Sequence, residues 1–151
     1  KPMNGHIDDV DAALDYLQRQ RFVDPQRIAV TGFSRGGLLS LIQGTQRSDI
    51  RALVIMAVAV NQRVSRSLYG EIDNISTPVL ILVAENDTGS RKTRGMNTLA
   101  GTRELTDRLQ QAGKDVQLIV YPPYGNDGHE LFFSVGSYWA DIHEFLNANL
   151  Q

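Results

Sequence analysis

Apolar positions along the chain follow two alternating patterns, a helical spacing and short continuous runs. Ile7, Val10, Leu14 and Leu17 recur at i, i+3, i+7 and i+10 with acidic residues early, one face of an amphipathic helix that Asn4 is placed to cap. Asp24-Pro25 breaks that pattern. A first strand is expected over residues 27–31, then a glycine-bearing turn, then a helix to about residue 46. Residues 52–60 are a nine-residue apolar run rich in valine, which predicts a strand buried on both faces. Residues 61–76 are polar, with Val64, Leu68, Tyr69 and Ile72 to pack, and predict a short helix with loops. Thr77-Pro78 opens a third strand over residues 79–84, proline being tolerated at a strand's first residue. A polar loop, residues 85–94, follows. Met96, Leu99, Leu105, Leu109 and Ala112 mark a long helix with Gly113 as its C-cap. Residues 115–121 form a fourth strand stopped by Pro122-Pro123, and residues 124–130 a loop. Trp139, Ile142, Leu146 and Leu150 define a last amphipathic helix.

Strands alternating with helices imply βαβ units, so the expected fold is α/β: about four mainly parallel strands with helices on both faces. Residues 1–151 read as one domain without internal repeat, low-complexity tract or linker. In open sheets of this kind sites form at the carboxyl ends of the strands. Three chemically suggestive loops fall there: residues 32–37, 85–94 and 124–130.

Composition narrows the classes. Hydrophobic residues at 42% and charged residues at 21% allow an ordinary buried core. A net charge of −2 supplies no basic field for nucleic acid or an anionic membrane. The absence of cysteine excludes disulfides, thiol catalysis and cysteine metal sites but leaves the compartment open, with the cytoplasm as the expectation. No run of about 20 apolar residues is present to span a bilayer. The start carries no signal-peptide pattern, and Lys1-Pro2-Met3 in place of an initial methionine leads us to expect a processed, trimmed or excised chain.

The chemistry concentrates in Gly32-Phe33-Ser34-Arg35-Gly36-Gly37, a G-x-S-x-G pattern between a strand and a helix. That placement marks a sharp turn that lifts a serine above the end of a parallel sheet. Glycine is expected at both flanks, Gly32 and Gly36, because a side chain at either would clash in so tight a turn. A serine hydroxyl needs a base, and histidine suits that role near neutral pH. The chain has three histidines. His6 begins the first helix, far from the strand ends, and His143 lies inside the last helix. His129, in the loop after the last strand, is the candidate base; an isolated loop histidine is otherwise simply solvated. A carboxylate must hold the base's tautomer and stabilise its imidazolium. Asp87 follows the third strand, in Asn86-Asp87-Thr88-Gly89, which is also ordinary turn chemistry. Glu85 is a rival at the same strand end, and Asp127 lies too close in sequence to His129 for an easy linear hydrogen bond. The chain order Ser34, Asp87, His129 selects Asp87.

With these residues in view the chain resembles the α/β-hydrolase superfamily, and within it the dienelactone-hydrolase and prolyl-oligopeptidase-like branch. Three stretches carry the resemblance: residues 23–37 through the serine turn, residues 78–87 through Asp87, and residues 121–129 through His129. The resemblance implies a truncated α/β-hydrolase core with Ser34 as nucleophile, His129 as base, Asp87 as orienting acid and the backbone N–H of Arg35 as one oxyanion donor. It implies hydrolysis of a small ester through an acyl-enzyme, without cofactor or metal; a peptidase is a variant within this class. A complete member has about four more strands before the first helix, and no HGGG-like segment supplies the second oxyanion donor here. Losing one such donor costs about 2.7–4 kcal/mol in the barrier. The strand over residues 27–31 is accordingly expected as an exposed apolar edge, covered by a missing N-terminal portion or by a second copy in a homodimer.

Two further readings belong to other classes. The chain is read alternatively as an inactive or weakly active hydrolase-like fragment serving as an interaction or oligomerisation module. A phosphate cradle at residues 32–37 fits neither G-x-G-x-x-G nor the P-loop, and no lysine follows the glycines. The basic stretch Arg91-Lys92-Thr93-Arg94 and the polar residues 61–76 read as solvated surface, with a role in specificity as the sharper alternative.

Overall fold

The computed structural model describes residues 3–58, 60 and 62–151. In chain order its elements are α1 (Met3–Gln18), β1 (Ala29–Phe33), α2 (Arg35–Gln46), β2 (Ala52–Met56), α3 (Gln62–Glu71), β3 (Val79–Ala84), α4 (Thr98–Gln111), β4 (Val116–Tyr121) and α5 (Trp139–Asn149). Short 3-10 turns lie at Ile72–Asn74 and Gly128–Phe133. The four strands form one parallel sheet in the order β1-β2-β3-β4, as the alternation of elements predicts. Parallel pairing throughout sends every strand's carboxyl end to the same side. Phe33 pairs with Met56 there, and Ala84 with Tyr121.

The two central strands are fully buried, so neither face is free to be polar. Residues alternate between two cores. Leu53, Ile55, Val79 and Ile81 face a cluster completed by Leu14, Leu38, Leu41, Leu68, Leu105 and Leu109 from α1 to α4. Val54, Leu80 and Leu82 face the opposite cluster, with Phe132 from the last 3-10 turn, Tyr138 at the N-cap of α5 and Ile142 within α5. Helices therefore cover both faces.

Polar side chains fix how the helices dock and stop. Arg47, just past α2, reaches Asp11, Asp15 and Gln18 on α1 and Asp49 ahead of β2. One guanidinium thus ties two helices to a strand entry. Asn97 caps α4 by accepting from the N–H of Ala100 at 2.9 Å. Gly113, at φ 69°, ends that helix with the Lys114 N–H donating to the Leu109 carbonyl at 2.9 Å.

Several boundaries differ from the sequence expectation. Asn4 falls inside α1 instead of capping it. β1 begins two residues later than expected, at Ala29, and runs into the glycine turn. The apolar run after residue 52 is a strand only to Met56: Ala57 turns at φ 43° while its N–H bonds the Leu82 carbonyl at 2.7 Å. Apolarity persists because Ala57 and Val58 stay buried beyond the strand end, so composition could not locate the turn. Residues 59 and 61 lie outside the described residues. Met96 precedes α4, and the loop carrying His129 contains the second 3-10 turn. β1 lies at a sheet edge with Thr31 exposed and Ala29, Val30 and Phe33 half-buried, so it is less openly apolar than expected. Among the described residues no helix is long and apolar enough to cross a membrane.

Candidate active site

Ser34 occupies the single residue between β1 and α2. Its backbone sits at φ 54°, ψ −113°, a left-handed conformation that costs a non-glycine residue on the order of 1–3 kcal/mol. The neighbourhood holds it there. The Ser34 N–H donates to the Met56 carbonyl at 2.8 Å, extending the β1–β2 ladder, and its carbonyl accepts from Leu38 in the first turn of α2. Arg35 opens α2, and the N–H groups of a first helical turn have no partner within the helix.

The two motif glycines are not equivalent. A Cβ on Gly32 would lie 2.2 Å from the Gly36 carbonyl oxygen and 2.5 Å from Ser40 Oγ, so this flank must be glycine. A Cβ on Gly36 would meet nothing within 4 Å. The expectation of a clash at both flanks is corrected: only the strand-side position is crowded by backbone.

Asp87 follows β3 and is fully buried. The turn that carries it is tied down through its backbone: its N–H donates to the Ala84 carbonyl, and its carbonyl accepts from the Leu99 N–H at 2.9 Å and the Thr98 hydroxyl at 3.0 Å. α4 therefore braces the acid turn. His129 follows β4, 4% exposed, in the 3-10 turn. Asp127 caps that turn by accepting from the His129 N–H at 3.1 Å.

These three side chains, far apart in sequence, meet at the carboxyl end of the sheet. His129 Nδ1 lies 2.8 Å from Asp87 Oδ2, and His129 Nε2 lies 3.1 Å from Ser34 Oγ. With the Nδ1–H tautomer the imidazole donates to the carboxylate and presents Nε2 as an acceptor for the serine hydroxyl. The other carboxylate oxygen, Oδ1, is buried without a hydrogen bond to protein, so the imidazole is the carboxylate's one polar partner among the described residues. Phe33 packs on the imidazole with ring centroids 4.7 Å apart, and Phe133 approaches it edge-on at 6.3 Å. Phe133 is 57% exposed and so presents an apolar face beside the pair. Lys92 stands over the Phe133 ring and forms an ion pair with Glu130, linking the 85–94 loop to the histidine turn.

The rival residues lie elsewhere. Glu85 is exposed, and Asp127 is occupied as a cap. His6 lies on α1, and His143 is exposed on α5 with Nδ1 against Asn147. Sequence reasoning missed Asn86 and Gly128. The Asn86 side chain bonds the backbone of Tyr124 and Gly125, and a Cβ on Gly128 would lie 2.6 Å from both Asn86 Oδ1 and the Asp87 nitrogen. Asn-Asp-Thr-Gly could signal a turn but not what that turn grips. Among the described residues no group of three or more His, Asp or Glu side chains is arranged to hold a metal ion.

A parallel sheet covered on both faces, with a strained serine at a strand-to-helix turn, defines an α/β-hydrolase fold. The chain belongs to the dienelactone hydrolase family, whose pattern residues 1–132 match. It is 28% identical over 131 residues to a probable 2-oxo-3-(5-oxofuran-2-ylidene)propanoate lactonase from Bradyrhizobium, covering 83% of this chain and 50% of that protein. The chain thus spans about half the length of this curated relative. Among solved structures it superimposes on a putative dienelactone hydrolase from Klebsiella pneumoniae with a TM-score of 0.70 at 19% identity, over 93% of this chain and 60% of that one. An esterase from Pyrococcus furiosus gives a TM-score of 0.74 at 15% identity, over 100% of this chain and 64% of that one. An acylaminoacyl peptidase from Pyrococcus horikoshii gives 0.72 at 17% identity, over 95% and 27%. At these identities the structural likenesses speak for the fold.

Proposed function

We propose that this chain carries the catalytic residues of a serine hydrolase acting on small esters or lactones. The observation that carries this reading is the hydrogen-bonded line from the Ser34 hydroxyl through His129 to the buried Asp87, at 3.1 and 2.8 Å. In this mechanism Ser34 Oγ attacks the substrate carbonyl carbon while His129 Nε2 takes its proton. Asp87 holds the tautomer and stabilises the imidazolium that forms. The N–H of Arg35 faces the developing oxyanion, where a preorganised donor is worth about 2.7–4 kcal/mol. Collapse of the tetrahedral adduct expels the alkoxide, which receives the proton from His129, and leaves an acyl ester on Ser34. In a lactone the expelled oxygen stays tethered to the acyl group, so ring-opening follows the same steps. Water then attacks the acyl ester, giving its proton to His129, and Ser34 leaves with that proton.

The named lactonase among its relatives makes an enol-lactone a suitable substrate beside short-chain p-nitrophenyl esters. Wild type is expected to hydrolyse such esters, and Ser34→Ala to fall to the background rate. Equal rates from the two proteins would remove Ser34 from the mechanism. A fluorophosphonate probe reads the same point, since an activated serine reacts quickly.

A second reading, a hydrolase-like module that serves association, is favoured by the position of β1 at the edge of the sheet. An edge strand pairs readily with another chain, either further polypeptide of the same protein or a second copy. Light scattering that finds a stable monomer at micromolar concentration counts against the second copy, and rapid, Ser34-dependent probe labelling counts against an inactive module.

A further inference from the structure

The buried pair Asp87–His129 poses a problem of register. Asp87 lies three residues past the end of β3, whereas His129 lies eight past the end of β4. The two strands are parallel neighbours whose ladder ends with the Glu85 N–H on the Tyr121 carbonyl at 2.8 Å. The chain after Tyr121 must therefore leave the sheet and double back before His129 can meet the acid. Pro122-Pro123 stiffens the exit and Gly125, at φ 50°, makes the turn. Neither fixes where the loop lands.

We propose that Asn86 is a positioning residue whose side-chain amide fastens the histidine loop to the acid turn and so sets the Ser34–His129 distance. Its Oδ1 accepts from the Tyr124 N–H at 2.9 Å, and its Nδ2 donates to the carbonyls of Tyr124 at 3.1 Å and Gly125 at 3.3 Å. Among the described residues, the stretch between Tyr121 and Asp127 makes its hydrogen bonds with this one side chain. Gly128 then seats directly on the same amide and on the Asp87 nitrogen, which leaves no room for a methyl group. Asn86 precedes Asp87 in the chain, so any movement of the acid turn is passed to the histidine loop through the amide. Both halves of the catalytic pair shift together, and the 2.8 Å bond between them is preserved.

This inference rests on the hydrolase reading for its rate measurement, but the position of His129 is observable without turnover. The experiment compares wild type, Asn86→Ala, Asn86→Asp and a control, Asn126→Ala, at an exposed position of the same loop. Two quantities are read: the second-order rate of labelling by a fluorophosphonate, and the solvent exchange of the His129 Nδ1 proton by nuclear magnetic resonance. A displacement of about 1 Å costs about 10²-fold in rate. Asn86→Ala is expected to label about 10²-fold more slowly and to exchange the Nδ1 proton rapidly, with its circular dichroism unchanged. Asn86→Asp keeps the acceptor for Tyr124 and lacks the two donated bonds, so it is expected to fall between, and it stands as the test should Asn86→Ala fail to fold. Asn126→Ala is expected to behave as wild type. Wild-type labelling and wild-type proton exchange in the Asn86 variants overturn the inference. If wild type itself fails to label while the proton still responds to Asn86, the hydrolase reading fails and the positioning role stands.

Discussion

Replacing Gly32 and Gly36 separately by alanine tests the steric logic of the serine turn. A methyl group on Gly32 would sit 2.2 Å from the Gly36 oxygen, 2.3 Å from the Gly36 carbonyl carbon and 2.5 Å from Ser40 Oγ. Carbon–oxygen contacts of this type settle at about 3.3–3.6 Å, so β1 and α2 would have to part by about 1 Å. They cannot do so freely. The Ser34 N–H is tied to Met56, the Ser40 hydroxyl to the Gly36 carbonyl, and Leu38 and Leu41 are packed in the core. Overpacking costs typically about 1–3 kcal/mol where side chains can yield. Here two of the three atoms are backbone, which places Gly32→Ala at about 3 kcal/mol or more. Gly36 lies in the first turn of α2 with open space around it, so alanine there removes chain entropy from the unfolded state and is expected to stabilise by about 0.5–1 kcal/mol. For a chain of this size about 1 kcal/mol moves the melting temperature by about 2–4 °C. Thermal melts should therefore show Gly32→Ala lower by about 6–12 °C and Gly36→Ala higher by about 1–4 °C. Urea midpoints should place the two variants on opposite sides of wild type. A Gly36→Ala protein as damaged as Gly32→Ala would refute the reasoning, since both glycines would then be needed for something other than the approach of strand and helix.

Two further outcomes follow from other contacts. Arg47 holds the Asp49 carboxyl down at about 2 through its hydrogen bond, against an ordinary value of 3.8, while burial works in the opposite direction. A depressed carboxylate stabilises the fold above its unfolded value and loses that contribution as pH falls toward its folded value. Arg47→Met is expected to cost about 1–2 kcal/mol at pH 7, after discounting for the partial exposure of its acidic partners, and the gap should shrink between about pH 4 and pH 2; a gap of constant size in urea melts across that range would contradict it. Gly128→Ala pushes against Asn86 Oδ1 and the Asp87 nitrogen at 2.6 Å, so its fluorophosphonate labelling should fall by about 10²-fold, and equal labelling would show that the two loops are not seated on each other.

What could be read from the sequence, and what could not, separates along one physical line. Burial leaves a local mark: an element that hides one stripe or two faces must repeat its apolar residues at a helical or strand spacing, as Leu105 and Leu109 do on α4 and Val79 to Ala84 do on β3. The layers, the parallel sheet and the strand ends that bear Ser34, Asp87 and His129 were legible for that reason. Turns inside apolar stretches leave no such mark, because Ala57 is as apolar as the strand it ends. Long-range polar grips leave none either. Asn86 and Tyr124 are 38 positions apart, and nothing in either neighbourhood names the other. The same separation explains why the serine motif misled on Gly36: a motif records that glycine is compatible with a turn, while the need for it depends on which backbone lies opposite, and of the two flanks Gly32 has one and Gly36 does not. A site assembled from three loops is therefore half local and half distant. The places of Ser34, Asp87 and His129 follow from strand ends and chain order, but the ångström-scale distances between them rest on contacts, such as those of Asn86, that exist only once the loops meet.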